Sequence, residues 1–373
     1  MSAMKVLIVG GGIGGMSAAI ALAKAGHATE IIDIDPEWRV YGAGITITGP
    51  TLRAYGRLGL LDQIKATGAV TSGVRLFRYD GTFIRELDEP VLEEGLPATG
   101  GIMRPDLHRI MQERVQALGS TVQLGLTVAT LAQDEGGVDV TFSDGTAGRY
   151  DLVVAADGVA SGVRALVFPD APQPEETGQA CWRISTRRPP GFDKGEFYLG
   201  HGNPAGITAC APDAIYMWML TPHEPGTRFD EAQGHARLRE RLADFGGTVA
   251  WIRDNMAEDD WVNYRPLSAM LQPEPWAKGR VALLGDAAHA TTPHLASGAG
   301  MAVEDGLVLA EELAVAGRSV EDSLLAYSGR RYPRCKHVVE SSVAIGRLQL
   351  SGASPEEHGE VLGKALHVLA QDY

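Results

Sequence analysis

The chain has 373 residues, 45% of them hydrophobic and 21% charged, with a formal net charge of −14 at pH 7. That length exceeds one ordinary core and predicts about two domains, and the scattered acidic surplus repels phosphate backbones and excludes nucleic acid as a natural partner. Three distant cysteines (Cys181, Cys210 and Cys335) form no CxxC, which excludes a disulfide framework and a zinc site and points to a reducing, cytoplasmic compartment.

In chain order, residues 4–9 read as a short buried strand, 14–25 as a helix of small residues stopped by Gly26, and 28–35 as a second strand closed by Pro36. This is a βαβ unit of ordinary length. Residues 51–64 carry helical spacing in Leu52, Tyr55, Leu58 and Leu61. Residues 74–87 read as a hairpin about Asp80-Gly81, and 104–119 as a helix with a glycine stop. Residues 137–158 give a second Asp-Gly hairpin running into a buried strand. From 175 to 222, four strand-like pieces alternate with Pro and Gly, predicting an antiparallel sheet. A helix follows at 230–246, a buried strand at 279–286 and a helix at 300–317. Parallel-type strands at both ends predict a discontinuous domain from 1–70, 100–175 and 270–330. A sheet domain is expected from 71–99 and 176–269, and a C-terminal helical segment from 331–373. No stretch approaches the ~18 uncharged apolar residues of a membrane span.

Gly10, Gly12 and Gly15 satisfy G-x-G-x-x-G, with Ile13 and Gly14 inside it, between a strand and a helix. The first glycine permits a tight turn, the second admits a pyrophosphate, and the third lets helix and strand pack closely. Asp33, at the end of the second strand, suits a ribose hydroxyl and is favoured over the competing candidate Asp35, whose place next to Pro36 fits the turn. Only one such fingerprint exists. Two later strands also end in carboxylates, at Asp157-Gly158 and Gly285-Asp286, and the second leads into a glycine-opened helix. Open α/β sheets bind ligands at such strand ends.

The set G-x-G-x-x-G, then D-G-x-x-S-x-x-R over 157–164, then G-D-A-A-H…P over 285–293 resembles the group A flavin monooxygenases. These are aromatic hydroxylases of the para-hydroxybenzoate hydroxylase type. The resemblance covers about residues 4–330. It implies an α/β fold, an FAD-binding Rossmann-like domain with an inserted antiparallel-sheet substrate domain. It also implies tightly bound, non-covalent FAD and transient NAD(P)H. The reaction would be hydroxylation of a small aromatic or heteroaromatic compound by O2 through a flavin hydroperoxide.

By the same resemblance, Gly10–Gly15 would cradle the pyrophosphate and Asp33 the adenosine ribose. Arg39 and Arg104 would lie along the FAD, and Val128 would touch the adenine side. Asp157 would serve FAD and the nicotinamide cofactor, and Asp286 the flavin-side ribose or ribityl chain. Gly298, Ala299 and Gly300 would face the isoalloxazine. Ser297 departs from the Gln or Lys that relatives often carry. Neither the extra C-terminal domain of larger relatives nor the membrane helix of some others is expected.

For substrate, strand alternation sets Tyr216 and Trp218 on one face and Ile215, Met217 and Met219 on the other. The aromatic face is the one expected to meet the ring. Arg183 is the candidate anchor for a carboxylate, and Thr46 and Thr48 for hydrogen bonds. The Pro293 carbonyl and His294 are candidates for proton handling. His289 reads as structural, and His201 and His223 as loop residues. No His or Cys pair has metal spacing. Three alternatives stay open: a flavoenzyme of this fold that inserts no oxygen, a plain NAD-dependent dehydrogenase, and a redox-silent FAD-binding or interaction protein.

Overall fold

The computed structural model describes residues 3–40, 42–200, 202–224, 226–227 and 229–373. His201 therefore lies outside the described residues.

The opening unit forms as its pattern predicts: β1 (Lys5–Val9), α1 (Ile13–Lys24) and β2 (Ala28–Asp33). Val6, Leu7 and Ile8 are fully buried because β1 is flanked on both sides, in parallel, by β2 and by Leu152–Ala155. Val281–Leu283 adds to that strand, and Thr121–Leu124 to β2. The strand Ala277–Lys278 closes a six-stranded sheet. Its pieces come from 5–33, 121–155 and 277–283, so this layer is discontinuous in sequence.

A second sheet has seven strands, in the order Trp261–Ala269, Glu175–Arg187, Ala214–Pro222, Ala205–Ala209, Gly195–Leu199, Val74–Arg78 and Phe83–Leu87. It is antiparallel but for one junction, where Gly195–Leu199 runs parallel to Val74–Arg78. That junction joins segments over a hundred residues apart, so no hairpin constrains its direction. One face of this sheet buries Trp182, Ile184, Met217 and Met219 against Leu238, Val249 and Ile252 of two helices. These helices are Gly234–Arg241 and Gly247–Asn255; only the first was expected.

Other expectations need correction. The helix over 51–64 is two helices, Gly49–Leu58 and Leu61–Thr67, because Gly59 adopts φ +84 and ends the first. A small sheet of Gly44–Thr48, Thr99–Met103 and Ala69–Thr71 was not foreseen. The boundary at 330 falls inside a helix of 32 residues, Val320–Ser351. That helix and Pro355–Ala370 contribute Leu324, Tyr327, Val338, Ala365 and Leu369 to the core around β1, so the last segment is not separate. No helix among the described residues is long and apolar enough to cross a membrane.

Candidate active site

The three glycines of the fingerprint divide by what surrounds them. Gly10 has φ +108, and a Cβ there would sit 2.2 Å from the Ala156 carbonyl oxygen. A Cβ on Gly15 would lie 1.9 Å from the Gly10 carbonyl oxygen. Gly12 differs: it has ordinary extended backbone, and a Cβ there meets nothing within 4 Å. The fold itself does not require glycine at 12. Open space over a helix N-terminus is what a pyrophosphate fills. α1 has no side-chain cap and no acid in its first turn, so its leading N–H groups are free for an anion.

A second helix repeats the design. Gly298–Leu313 starts after the 3-10 turn Pro293–Leu295, again with no side-chain cap and no acid in its first turn. It packs along α1 so closely that a Cβ on Gly306 would lie 2.7 Å from the Ala18 nitrogen. Gly300 abuts Thr51, with a virtual Cβ 2.2 Å from Oγ1. Two positive helix ends thus lie side by side.

Asp33 accepts from the Gly11 amide at 2.6 Å and the Asp35 amide at 2.8 Å, which orients the glycine turn. Asp35 accepts from the Glu37 amide, the turn role expected of it. Val128 opens a strand beside this corner, where the Leu126 amide donates to the Asp33 carbonyl. Arg39 is half exposed and ion-paired with Glu37. Asp157 is committed within its own loop: Ser161 Oγ donates to one oxygen at 2.5 Å and the Val163 amide to the other at 3.1 Å. Arg164 donates to the Ala287 carbonyl at 3.0 Å and the Val159 carbonyl at 2.8 Å, stapling the second motif to the third.

Asp286 is exposed at the start of the third motif, yet protein crowds it enough that desolvation raises its carboxyl above the ordinary value. A carboxylate both accessible and crowded by protein borders a cleft. Arg104 is within electrostatic reach, half-buried, and desolvation lowers its pKa. Neither group has a charged partner at salt-bridge distance among the described residues.

The aromatic face of the large sheet turns toward this cleft. Tyr216 packs on the small sheet, where a Cβ on Gly44 would lie 2.5 Å from the Tyr216 Cβ. Burial keeps the Tyr216 phenol protonated. Trp218 lies over Gly206 and meets Phe197 edge-on at 5.7 Å. Arg183 lies between Trp218 and Asn263 on the adjoining strands and interacts with Tyr216. No described carboxylate pairs with Arg183. Thr46 bonds Thr208 at 3.0 Å, joining the two sheets, and Thr48 bonds Thr51 at 3.2 Å.

His294 corrects an expectation. Nε2 lies 3.0 Å from Gln179 Oε1 and 3.2 Å from Gln349 Oε1, and Nδ1 lies 2.8 Å from Thr292 Oγ1. Burial lowers its pKa to about 4. Both nitrogens are engaged and the lowered pKa makes the ring a weak base, so it is not poised as a general base. His289 is fully buried, with Nε2 2.6 Å from Asp305 Oδ2. Asp305 also accepts from Arg331 Nε at 2.7 Å and the Gly285 amide at 2.9 Å. Cys335 completes the one metal-competent cluster among the described residues, but Arg331 already neutralises it. His223 follows a strand end and bonds Tyr264 at 2.7 Å. The three cysteines are free and buried.

Sequence reasoning missed Gln179 and Gln349, neutral amides that belong to no motif. It also missed the Arg331–Asp305–Glu304–Arg334 network, whose residues lie on two helices.

An open glycine cradle, paired helix N-termini and a carboxylate in a cleft define a dinucleotide-binding flavoprotein with a sheet roof. The sequence of the FAD binding domain family matches residues 3–342. A Bacillus subtilis protein provisionally named FAD-dependent monooxygenase YetM is 33% identical over 376 residues, covering 99% of each chain. The 2-heptyl-3-hydroxy-4(1H)-quinolone synthase of Pseudomonas aeruginosa is 31% identical over 92% of this chain and 89% of its own. The crystal structure of Klebsiella pneumoniae HpxO, complexed with FAD and uric acid, superposes with a TM-score of 0.87 at 25% identity, over 98% of this chain and 97% of that one. The chain belongs to the FAD binding domain family and is an FAD-dependent monooxygenase of the para-hydroxybenzoate hydroxylase fold.

Proposed function

We propose that this monooxygenase hydroxylates a small planar heteroaromatic ring bearing an acidic N–H or O–H, with NAD(P)H as reductant and O2 as oxidant. One observation carries the reading: Tyr216, Trp218 and Arg183, which bonds Tyr216 but pairs with no carboxylate among the described residues, share the sheet face that overlooks the Asp286–Arg104 cleft. Two similar proteins support it, one named for a quinolone product and the other crystallised with uric acid.

Bound in the cleft, FAD supplies two-electron reduction by NAD(P)H and activation of dioxygen. The chain's own residues bind, orient and shield. The amides of Gly12, Ile13 and Gly14 meet the pyrophosphate, while Gly10 and Gly15 let the turn close. Asp33 sets the Gly11 amide and faces the adenosine ribose beside Val128, with Arg39 at the outer rim. Asp286 and Arg104 hold the flavin-side chain, and Gly298, Ala299 and Gly300 present amides to the ring. Asp157 fixes the loop through which Arg164 clamps Ala287. Trp218 and Tyr216 form a platform for the substrate, with Arg183 pairing its acidic group. Tyr216 donates a hydrogen bond, and the Pro293 carbonyl accepts one from a ring hydroxyl, which raises electron density at the reacting carbon. Thr46 and Thr48 border the space between sheets. The division into an FAD domain (1–70, 100–175 and 270–330) and a substrate sheet (71–99 and 176–269) follows, with 331–373 fused to the first. A cytoplasmic location suits the buried free cysteines.

The test is a panel of heteroaromatic acids with purified holoprotein and 18O2. The expected result is accelerated NAD(P)H consumption and one labelled oxygen in product. Unlabelled product, or consumption that no ring compound accelerates, overturns the reading.

A further inference from the structure

His294 is held from three separate parts of the chain. Gln179 comes from the strand Glu175–Arg187 of the large sheet, and Gln349 from the long helix Val320–Ser351. Thr292 belongs to its own turn. The two amides also bond each other, Gln179 Nε2 donating to Gln349 Oε1 at 3.0 Å. Since both amides present Oε1 to His294 Nε2, that nitrogen carries the proton, and Nδ1 accepts from the Thr292 hydroxyl. Among the described residues no charged side chain enters the balance; burial acts first, opposed by the Gln349 hydrogen bond.

The packing is equally specific. The helix approaches the imidazole at Gly346, where a Cβ would lie 2.6 Å from Gln179 Oε1 and 3.0 Å from His294 Cε1. Any larger residue displaces the ring or the amide. On its outer side, Gln349 lines a cavity of about 1330 Å³ that is also bordered by Trp182, His223, Arg237 and Tyr264. Gln349 is thus a wall, with the cavity on one side and the turn that opens the glycine helix on the other.

We propose that Gln179 and Gln349, with Gly346 as their seat, are positioning residues. They lock His294 as the neutral Nε2–H tautomer, hold the Pro293–Leu295 turn in register with the substrate sheet, and seal it from the outer cavity. The proposal rests on the reading above that sets the Pro293 carbonyl at the substrate ring and the glycines that follow this turn at the flavin. It links substrate sheet, flavin turn and C-terminal helix through one ring. Water that passes this wall would reach a site whose coupling depends on exclusion.

The experiment uses holoenzyme carrying Gln349→Ala, Gln349→Glu, Gln179→Ala or Gly346→Ala. Imidazole resonances of His294 are followed against pH, with the spectrum of bound FAD and the peroxide released per NAD(P)H. In the parent, the His294 resonances should stay those of the neutral Nε2–H form throughout the neutral range. Gln349→Glu puts a carboxylate beside Nε2 and should bring a new titration into that range, with a matching shift in the flavin spectrum. Gln349→Ala and Gln179→Ala, made from opposite sides, should both lose the tautomer lock and raise the peroxide share while FAD stays bound. His294 resonances unchanged in all four variants would overturn the lock. A lock lost without any flavin or peroxide response would instead overturn the placement of the turn against the flavin.

Discussion

At the residue scale, the contrast between Gly10 and Gly12 separates folding from binding. Gly12→Ala adds a methyl group where the chain has nothing within 4 Å. We predict an apoprotein Tm near that of the parent: alanine is a poorer cap than glycine by about 1 kcal/mol, and the lower entropy of the unfolded chain offsets roughly that much at this ordinary backbone conformation. FAD affinity should fall by about tenfold or more, roughly 1.4 kcal/mol, because the methyl occupies the phosphate's space. Gly10→Ala should do the reverse damage: with φ +108 and a carbonyl oxygen 2.2 Å away, it destabilises the apoprotein itself. Apoprotein melting and FAD titration, run on both variants, check the pair, and equal losses of Tm would refute the distinction. At Arg183, removal of the charge by Arg183→Met should raise KM for an acidic substrate by roughly tenfold or more, the worth of a charge-assisted hydrogen bond. KM for NAD(P)H and the flavin spectrum should not move. A KM change shared by neutral analogues would mean that Arg183 shapes the pocket without reading charge.

At the scale of elements, α1 and Gly298–Leu313 act as a unit because Gly306 lets them touch. Alanine at 306 gains about 1 kcal/mol of helix propensity. Its Cβ, however, would fall 2.7 Å from a backbone nitrogen that cannot turn aside. Overpacking of that kind costs roughly 1–3 kcal/mol, so Gly306→Ala should be net destabilising. It should also spread the two helix N-termini and weaken FAD binding; denaturant unfolding with and without FAD measures both, and a stabilised variant would refute the argument. What the sequence disclosed follows the same division. Local patterns were readable: β1, α1 and β2, both Asp-Gly hairpins, and the alternation that sends Tyr216 and Trp218 to one face. Pairings across long sequence gaps were not, such as Gly44–Thr48 with Thr99–Met103. The helical segment expected from 331 begins earlier, at Val320, and belongs to the core; this was hidden because its buried side includes Arg331 and Arg334, which read as a solvated face, and because Pro333 lies inside it. Gln179 and Gln349 are 170 residues apart and neutral, so neither spacing nor charge betrayed them.

At the scale of the whole molecule, the cofactor loop and the C-terminus hang from one buried network. Asp305 holds the Gly285 amide and His289 from below the third motif, and Arg331 from the long helix. Arg331 and Arg334 share Glu304, and Arg334 reaches the carbonyls of Val368 and Leu369 at the end of the last helix. Arg53 grips Ala370 and Gln371 from the helix that follows Thr48. Arg331, Asp305 and His289 are fully buried, so a partner removed leaves an uncompensated charge. That costs roughly 3–5 kcal/mol, a large part of a domain's stability. Burial by itself would raise the Asp305 pKa, but His289 and Arg331 reverse this and hold it down to about 2, against an ordinary 3.8. Because the folded value is the lower one, the carboxylate contributes stability above the ordinary value, and that contribution is lost as pH falls from about 4 toward 2. His289 runs the other way: burial opposes its charge, yet its neighbours, Asp305 among them, raise it well above 6.5, so its contribution is present below that value and fades as pH climbs past the raised one. Asp305→Asn should therefore lower stability most at neutral pH and least in acid, and the stability difference between parent and variant should shrink as the medium is acidified through that window. It should also weaken FAD, because Asn keeps a donor-facing oxygen for Gly285 but cannot balance both His289 and Arg331. Denaturant unfolding at a series of pH values, with FAD titration alongside, decides it: a pH-independent difference would mean that packing, not charge, is what Asp305 provides.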